Sequence, residues 1–437
     1  MLMNPRPEIL SPAGDMEKLR IAFAYGADAA YAGIPKFSLR TRETGFTPAL
    51  LEEAVSLAHS LGKKLYLTLN IFPHNLKIDS FLKELDVAAE LQPDGLIMAD
   101  PGMIAQARKR YPDLAIHLST QSNTVNWATV AFWRDIGVKR VILSRELRLD
   151  EIAEMHARVP DIELETFVHG AICIAYSGRC LISNYLHSRD ANQGTCTNSC
   201  RWEYALGYER GSLLEMEAEQ QPYAYDAPPP EGFYVKESRR PDARFPIGED
   251  EHGTYLMNAK DLCAIELIPD ILNAGVCSLK IEGRTKSAYY TAITSRAYRR
   301  ALDDHLAGKP FDRENLRDLM RLSNRTYTTG FYTRNPRQYG ENVGDGNSAG
   351  TGERVLGIVR DYDPQTGLAE LEVKNRFLPG DTLTMITPDN DVVFVADAVT
   401  DARGTRLDAA HGGSRNVWIR LPEAPHEFTF LRETLKR

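Results

Sequence analysis

Eight short apolar segments set most of what this chain can become: EILSPAG (8–14), DAAYAGI (28–34), KKLYLTLN (63–70), GLIMAD (95–100), AIHLSTQSN (115–123), RVILSREL (140–147), ELETFVHG (163–170) and VCSLKIEG (276–283). Most are followed by a helical pattern with its own start signal. Asp15 precedes MEKLRIAFAYG, which Gly26 stops; Thr47 precedes a helix running to Gly62; Asp100-Pro101 pairs an N-cap with proline at the first helical position. A strand, a helix and the next strand form a crossover unit, and crossovers make neighbouring strands parallel. Eight such units predict an α/β fold, a (β/α)8 TIM-like barrel; a doubly wound open sheet is the competing pattern. A helix is expected to start at Asp261 and close at Gly275, and a long amphipathic one to run from Ser287 to Leu306.

A barrel gathers the C-terminal ends of its strands on one face, where function resides. Those ends carry Asn70, Asp100, Gln121, Asn123, Ser144, Arg145, Glu146, His169 and Glu282, more amides and charges than stability requires. His169, Gln121 and Glu282 are the candidate catalytic residues. Asn123 and Arg284 are candidates for holding substrate. In Lys280-Ile281-Glu282-Gly283-Arg284, alternation turns Lys280 and Glu282 the same way, with Arg284 just beyond the strand. Either an ion pair closes the barrel there, or Arg284 clamps a carboxylate or phosphate through its planar fork. Lys286, Arg296, Arg299 and Arg300, with Lys36, Arg40 and Arg42, would then form a basic face.

Residues 165–204 start within the seventh segment and hold four of the six cysteines, Cys173, Cys180, Cys196 and Cys200, all beyond its end. They lie among glycines and polar residues, whereas packing cysteines sit among aliphatic neighbours, as Cys263 and Cys277 do. Zinc sites favour tight pairs at both ends. Only Cys196 and Cys200 are close here, so the spacing favours an iron–sulfur cube over zinc and leaves a disulfide pair open.

The net charge of −8 argues against a general nucleic-acid coat but allows a local basic surface. No apolar run reaches signal-peptide or membrane-span length, which makes a cytoplasmic chain without membrane contact the expectation. Residues 206–253 are rich in proline and charge and read as an irregular insertion within a first domain of 1–340. After a Gly-rich linker, residues 352–437 alternate in short segments separated by PQTG, LPGD and PDND turns, the pattern of a small C-terminal all-β barrel. Gly346-Asn347-Ser348-Ala349-Gly350 matches G-x-S-x-G, yet the strand and helix that expose a hydrolase serine are missing from its flanks.

LSPAGDMEKLRIAFAYGADAAYAG, FVHGAIC-x6-C, C-x3-CRW and SLKIEGR, in this order, resemble the collagenase-like peptidase family of unclassified catalytic type, essentially end to end. Within it the chain looks most like the members concerned with prephenate-dependent tRNA hydroxylation. That resemblance implies an enzyme forming 5-hydroxyuridine at the wobble position of tRNA, with prephenate as co-substrate and a 4Fe–4S cluster supplied by the iron–sulfur assembly machinery. The family's cluster cysteines fall on Cys173, Cys180, Cys196 and Cys200, with Cys263 in reserve for one position. Prephenate's two carboxylates would suit Arg284, Arg40 and Arg42. A collagenase-like peptidase and a cluster-bearing scaffold are the alternatives; the peptidase reading finds no convincing nucleophile–base pair.

Overall fold

A computed structural model describes residues 6–39, 45–173, 175–180, 183, 191–193, 196, 234–237, 240–246, 248–250, 253–255, 260–333, 353–413 and 416–434. Arg40, Arg42, Cys200 and Ser348 lie outside them.

All eight apolar segments are strands, and they close. β1 (Glu8–Ala13), β2 (Ala29–Gly33), β3 (Lys64–Leu69), β4 (Gly95–Met98), β5 (Ile116–Leu118), β6 (Arg140–Ile142) and β7 (Glu163–Ala171) pair in parallel in chain order. Five further strands intervene in sequence, after which β13 (Val276–Ile281) pairs in parallel with both β7 and β1 and completes the ring. The strands are buried on both faces, as parallel strands covered by helices must be. The covering helices are α1 (Met16–Ala24), α2 (Pro48–Ser60), α3 (Ile78–Glu90), α4 (Pro101–Arg110), α5 (Trp127–Asp135) and α6 (Leu149–Arg158). Asp15, Thr47 and Asp100 cap their helices by accepting bonds from the backbone N–H groups of Lys18, Leu50 and Met103.

The excursion between β7 and β13 departs from the expected helix at Asp261. Its described parts include two antiparallel hairpins, β8 (Tyr234–Glu237) with β9 (Arg240–Pro246) and β10 (Gly248–Asp250) with β11 (Gly253–Tyr255), where an irregular insertion was expected. Asp261 then lies in a short strand, β12 (Asp261–Cys263), antiparallel to the end of β7, and only α7 (Ile268–Asn273) is helical before Gly275. A three-residue strand bordered by a 3-10 turn leaves no period in sequence, and the free edge of β7 captures it. After β13 come α8 (Ala288–Leu306), α9 (Arg313–Met320) and β14 (Tyr327–Thr328), which pairs with β12.

β15 (Glu353–Asp363), β16 (Leu368–Val373), β17 (Thr382–Ile386), β18 (Asp391–Val395), β19 (Val399–Thr400), β20 (Val417–Arg420) and β21 (Phe430–Thr434) form one antiparallel sheet, an all-β half-barrel with its own core around Leu371, Leu383 and Leu431. One end of that sheet also joins the larger core: Ile386, Phe428 and Phe430 pack with the barrel's residues. The Tyr25 hydroxyl donates to the carbonyls of Phe428 (2.6 Å) and Ile386 (3.2 Å).

The expected basic face on α8 is absent, for a reason lying far along the chain. Arg296 is 2 % exposed and binds Asp318 (3.1 Å), Asp391 (2.6 Å) and the Thr387 carbonyl. Arg299 pairs with Asp28 and Asp303, and Arg300 donates to the carbonyl of Asp389. These arginines fasten the barrel to its neighbours.

Candidate active site at the barrel mouth

Polar side chains fill the barrel's lower interior. Arg140 binds Glu8, Glu163 and Glu165, and Lys280 donates to Glu165 at 2.7 Å. Ser278 donates to Glu8 and Glu165, and the Tyr66 hydroxyl to Glu8. Burial alone would raise the Glu8 carboxyl, but the charge and hydrogen bond of Arg140 outweigh it and hold Glu8 below the usual range. Burial pulls Lys280 below the ordinary lysine value, partly offset by Glu165. Lys280 therefore finds its partner on β7; the partner of Glu282 is Arg145, 3.7 Å away on the β6 side.

Above this layer opens a cavity of about 290 Å³. Gln121, Glu282 and Arg284 line it, as do Asn70, Arg145, Glu146 and Lys280. Arg284 reaches across the mouth to Ser38 Oγ (3.0 Å), Thr68 Oγ1 (2.9 Å) and the Leu39 carbonyl (2.6 Å). It passes directly over Gly33, where an added Cβ would lie 2.6 Å from Arg284 Nη1. Arg145 stacks on the Phe167 ring, 3.9 Å from its centroid. The Gln121 amide nitrogen is buried without a hydrogen-bond partner.

Cys173, Cys180 and Cys196 line the same cavity. The stretch between the first two is bolted to the strand ends. Glu146 accepts from Ser177 N (2.9 Å) and Ser177 Oγ (3.1 Å), and Asn123 Nδ2 donates to the Ser177 carbonyl (3.1 Å). Asn192 donates to the Gly178 carbonyl (3.0 Å). Gly178 has φ +74°, and a Cβ there would fall 2.0 Å from the Gln121 carbonyl oxygen, so only glycine fits. Asn123, expected to meet substrate, instead holds this loop and is not among the described cavity residues.

His169 also lies elsewhere. By strict alternation it would share the inner face with Glu165 and Phe167. The β7–β13 register slips by one residue at this point, with Phe167 opposite Lys280 and His169 opposite Ile281. That irregularity turns His169 away from the mouth and among Tyr290, Tyr298 and Tyr327. It is 1 % exposed, and burial lowers its pKa to about 3. Cys263, the reserve ligand, faces His169 in register and lies under the Tyr298 hydroxyl; burial pushes its thiol up to about 11, and it does not line the cavity. Asp100, the N-cap of α4, is likewise structural. Glu146 and Arg145 were visible in sequence only as polar strand ends; their partners, Ser177 and Glu282, lie tens of residues or more along the chain.

The donor set suits an iron–sulfur cluster in kind: three cysteine side chains border one cavity, two of them flanking a stretch pinned to the barrel. Among the described residues, which do not include Cys200, no three His, Cys, Asp or Glu side chains gather tightly enough to hold a metal ion.

A barrel with a half-barrel on its flank and a cysteine loop over its mouth defines the class, and comparison with known sequences gives the family. Residues 14–342 match Peptidase family U32 and residues 352–432 match the Peptidase family U32 C-terminal domain, so the chain belongs to peptidase family U32. It is similar to the tRNA hydroxylation protein P of Haemophilus influenzae, 46 % identical over 433 residues, covering 96 % of this chain and 94 % of the relative. The protein of the same name from Escherichia coli is 46 % identical over 428 residues, with the same coverage. A collagenase of Porphyromonas gingivalis is more distant, 28 % identical over 404 residues, covering 89 % of this chain and 88 % of that one. No helix among the described residues is long and apolar enough to cross a membrane.

Proposed function

We propose that this protein hydroxylates the wobble uridine of tRNA to 5-hydroxyuridine in a prephenate-dependent reaction, with a 4Fe–4S cluster on Cys173, Cys180, Cys196 and Cys200. The observation that carries the reading is the convergence of three of those thiols with Gln121, Glu282 and Arg284 on one cavity, in a chain that matches two tRNA hydroxylation proteins over nearly its whole length. A cluster bound there would supply one-electron chemistry next to the substrates. Arg284, already oriented by Ser38, Thr68 and Leu39, presents a guanidinium to one carboxylate of a small acid. The unpartnered Gln121 amide offers a donor beside it, and Glu282 is positioned to take or return a proton at the cavity wall. At the rim Tyr176, 60 % exposed, offers a ring on which an unstacked base can lie. Arg40 and Arg42, which follow Leu39 in the sequence, would add cations for the acid or the RNA.

Two measurements test this reading. Nucleoside analysis of tRNA from a strain lacking the gene should show loss of 5-hydroxyuridine, restored by the wild-type gene but not by Cys173→Ala, Cys180→Ala, Cys196→Ala or Cys200→Ala. Anaerobically purified protein should contain iron and sulfide, lost in the same variants. Unchanged tRNA modification in the deletion strain overturns the activity. Full iron in all four variants overturns the ligand set.

A further inference from the structure

A second cavity, of about 200 Å³, opens where the first turn of α8 meets the half-barrel. Four cations from four separate stretches of chain line it: Lys286 ahead of α8, Arg321 after α9, Arg354 on β15 and Arg432 on β21. Among the described residues that line it there is no aspartate or glutamate. The side chains grade from floor to rim, Arg432 being 6 % exposed, Arg321 31 % and Arg354 40 %. Ser287 and Ser323 are exposed at the opening.

The carboxylates that pair with these cations do not line the cavity. Asp318 pairs with Arg321 at 2.7 Å and lies 3.9 Å from Arg432; Asp391 is 3.4 Å from Arg432; Glu433 pairs with Arg354. Asp318 and Asp391 are also shared with the buried Arg296. Arg354 Nε is buried without a hydrogen-bond partner. Ser287 is the N-cap of the nineteen-residue α8, so the positive end of that helix faces the same space. Donors that arrive from several directions match a tetrahedral oxyanion, whereas a planar carboxylate would engage one or two of them.

We propose that this junction cavity binds a phosphate-class oxyanion, either as the free inorganic ion or as a backbone phosphodiester of an RNA strand. The site lies outside the mouth cavity, and binding there stands or falls independently of the hydroxylation reaction.

The test uses the full chain and two rim variants, Lys286→Gln and Arg354→Gln, which spare the buried Arg432. Inorganic phosphate should raise the melting temperature of the wild type above its value in chloride of equal ionic strength. Each variant should weaken phosphate binding about tenfold, the effect of losing one charge-assisted contact. Arg354→Lys should recover part of the loss by restoring the charge without the fork. tRNA binding distinguishes the sources. If the salt dependence of tRNA affinity falls by roughly 0.7–0.9 in log–log slope per variant, the occupant is a backbone phosphate. If phosphate binding is lost while the tRNA slope holds, it is the free ion. Equal melting in phosphate and chloride, with tRNA binding unchanged in both variants, overturns the proposal. Normal melting of the variants in chloride verifies that they are folded.

Discussion

Replacing Glu146 by alanine should release the loop that carries Cys173 and Cys180 while leaving the barrel intact. Its carboxylate accepts from the Ser177 amide at 2.9 Å and the Ser177 hydroxyl at 3.1 Å. Hydrogen bonds to a charged acceptor contribute roughly 1.5–3 kcal/mol each. The site is only part-buried, so water recovers some of this, and a net loss of about 2–4 kcal/mol in loop seating is the expectation. At about 1.4 kcal/mol per decade, that is roughly a 30- to 1000-fold rise in local opening. Native-state hydrogen exchange reads it directly: amides of residues 175–180 should exchange faster by that factor, while β1 to β4 keep their protection. Iron content should fall in step. Glu146→Gln retains a neutral acceptor and should show roughly half the free-energy effect. If residues 175–180 exchange at the wild-type rate in Glu146→Ala, the loop is held by something other than this clamp and the reasoning fails.

Three further outcomes are expected. His169 has a folded pKa of about 3 against 6.5 unfolded, so the unfolded chain takes up a proton first and stability falls as pH drops through that window; by pH 5 the loss is about 2 kcal/mol, and His169→Phe should remove it in urea titrations at pH 7 and 5. The buried His117 is depressed in the same direction and should leave a residual slope; a variant as acid-sensitive as the wild type would contradict the assignment. Arg296→Met should cost about 3–5 kcal/mol in chemical denaturation, because Asp318 and Asp391 lose a buried guanidinium, and a cost below 1 kcal/mol would mean their other arginines suffice. Gly33→Ala should push the Arg284 guanidinium off Ser38 and Thr68, so the prephenate requirement should rise several-fold at unchanged iron content; an unaltered response would separate Arg284 from substrate binding.

Much of the barrel could be read from the chain because its causes are local. Strands buried on both faces are continuous apolar runs, and capping residues such as Asp15, Thr47 and Asp100 stand next to the helices they start. What escaped depends on partners distant in sequence. Arg296 looks like a solvated helix charge until Asp318 and Asp391 are folded onto it. Glu8 looks like a polar strand start, yet its partner Arg140 is 132 residues away. His169 was misplaced by a one-residue register slip, which no hydrophobic period announces. The short β12 is too brief to show any period, and depends on the edge that β7 offers it. At the mouth, Gln121, Glu282 and Arg284 could be placed together because strand ends converge, whereas Asn123 could not be told apart from a substrate ligand without seeing Ser177.

The tyrosine that joins barrel and half-barrel, Tyr25, spends its hydroxyl on two carbonyls of the other sheet and is 2 % exposed. Phe428 and Phe430 complete the barrel's flank from the same side. Sequence families divide the chain near residue 350, but the apolar surface is not divided there. A chain ending at that boundary would display Tyr25 and Tyr289 to water, and sticky surface of this kind drives self-association. The two halves are therefore expected to melt in one calorimetric transition, and attempts to express the barrel alone should yield aggregates unless that flank is redesigned.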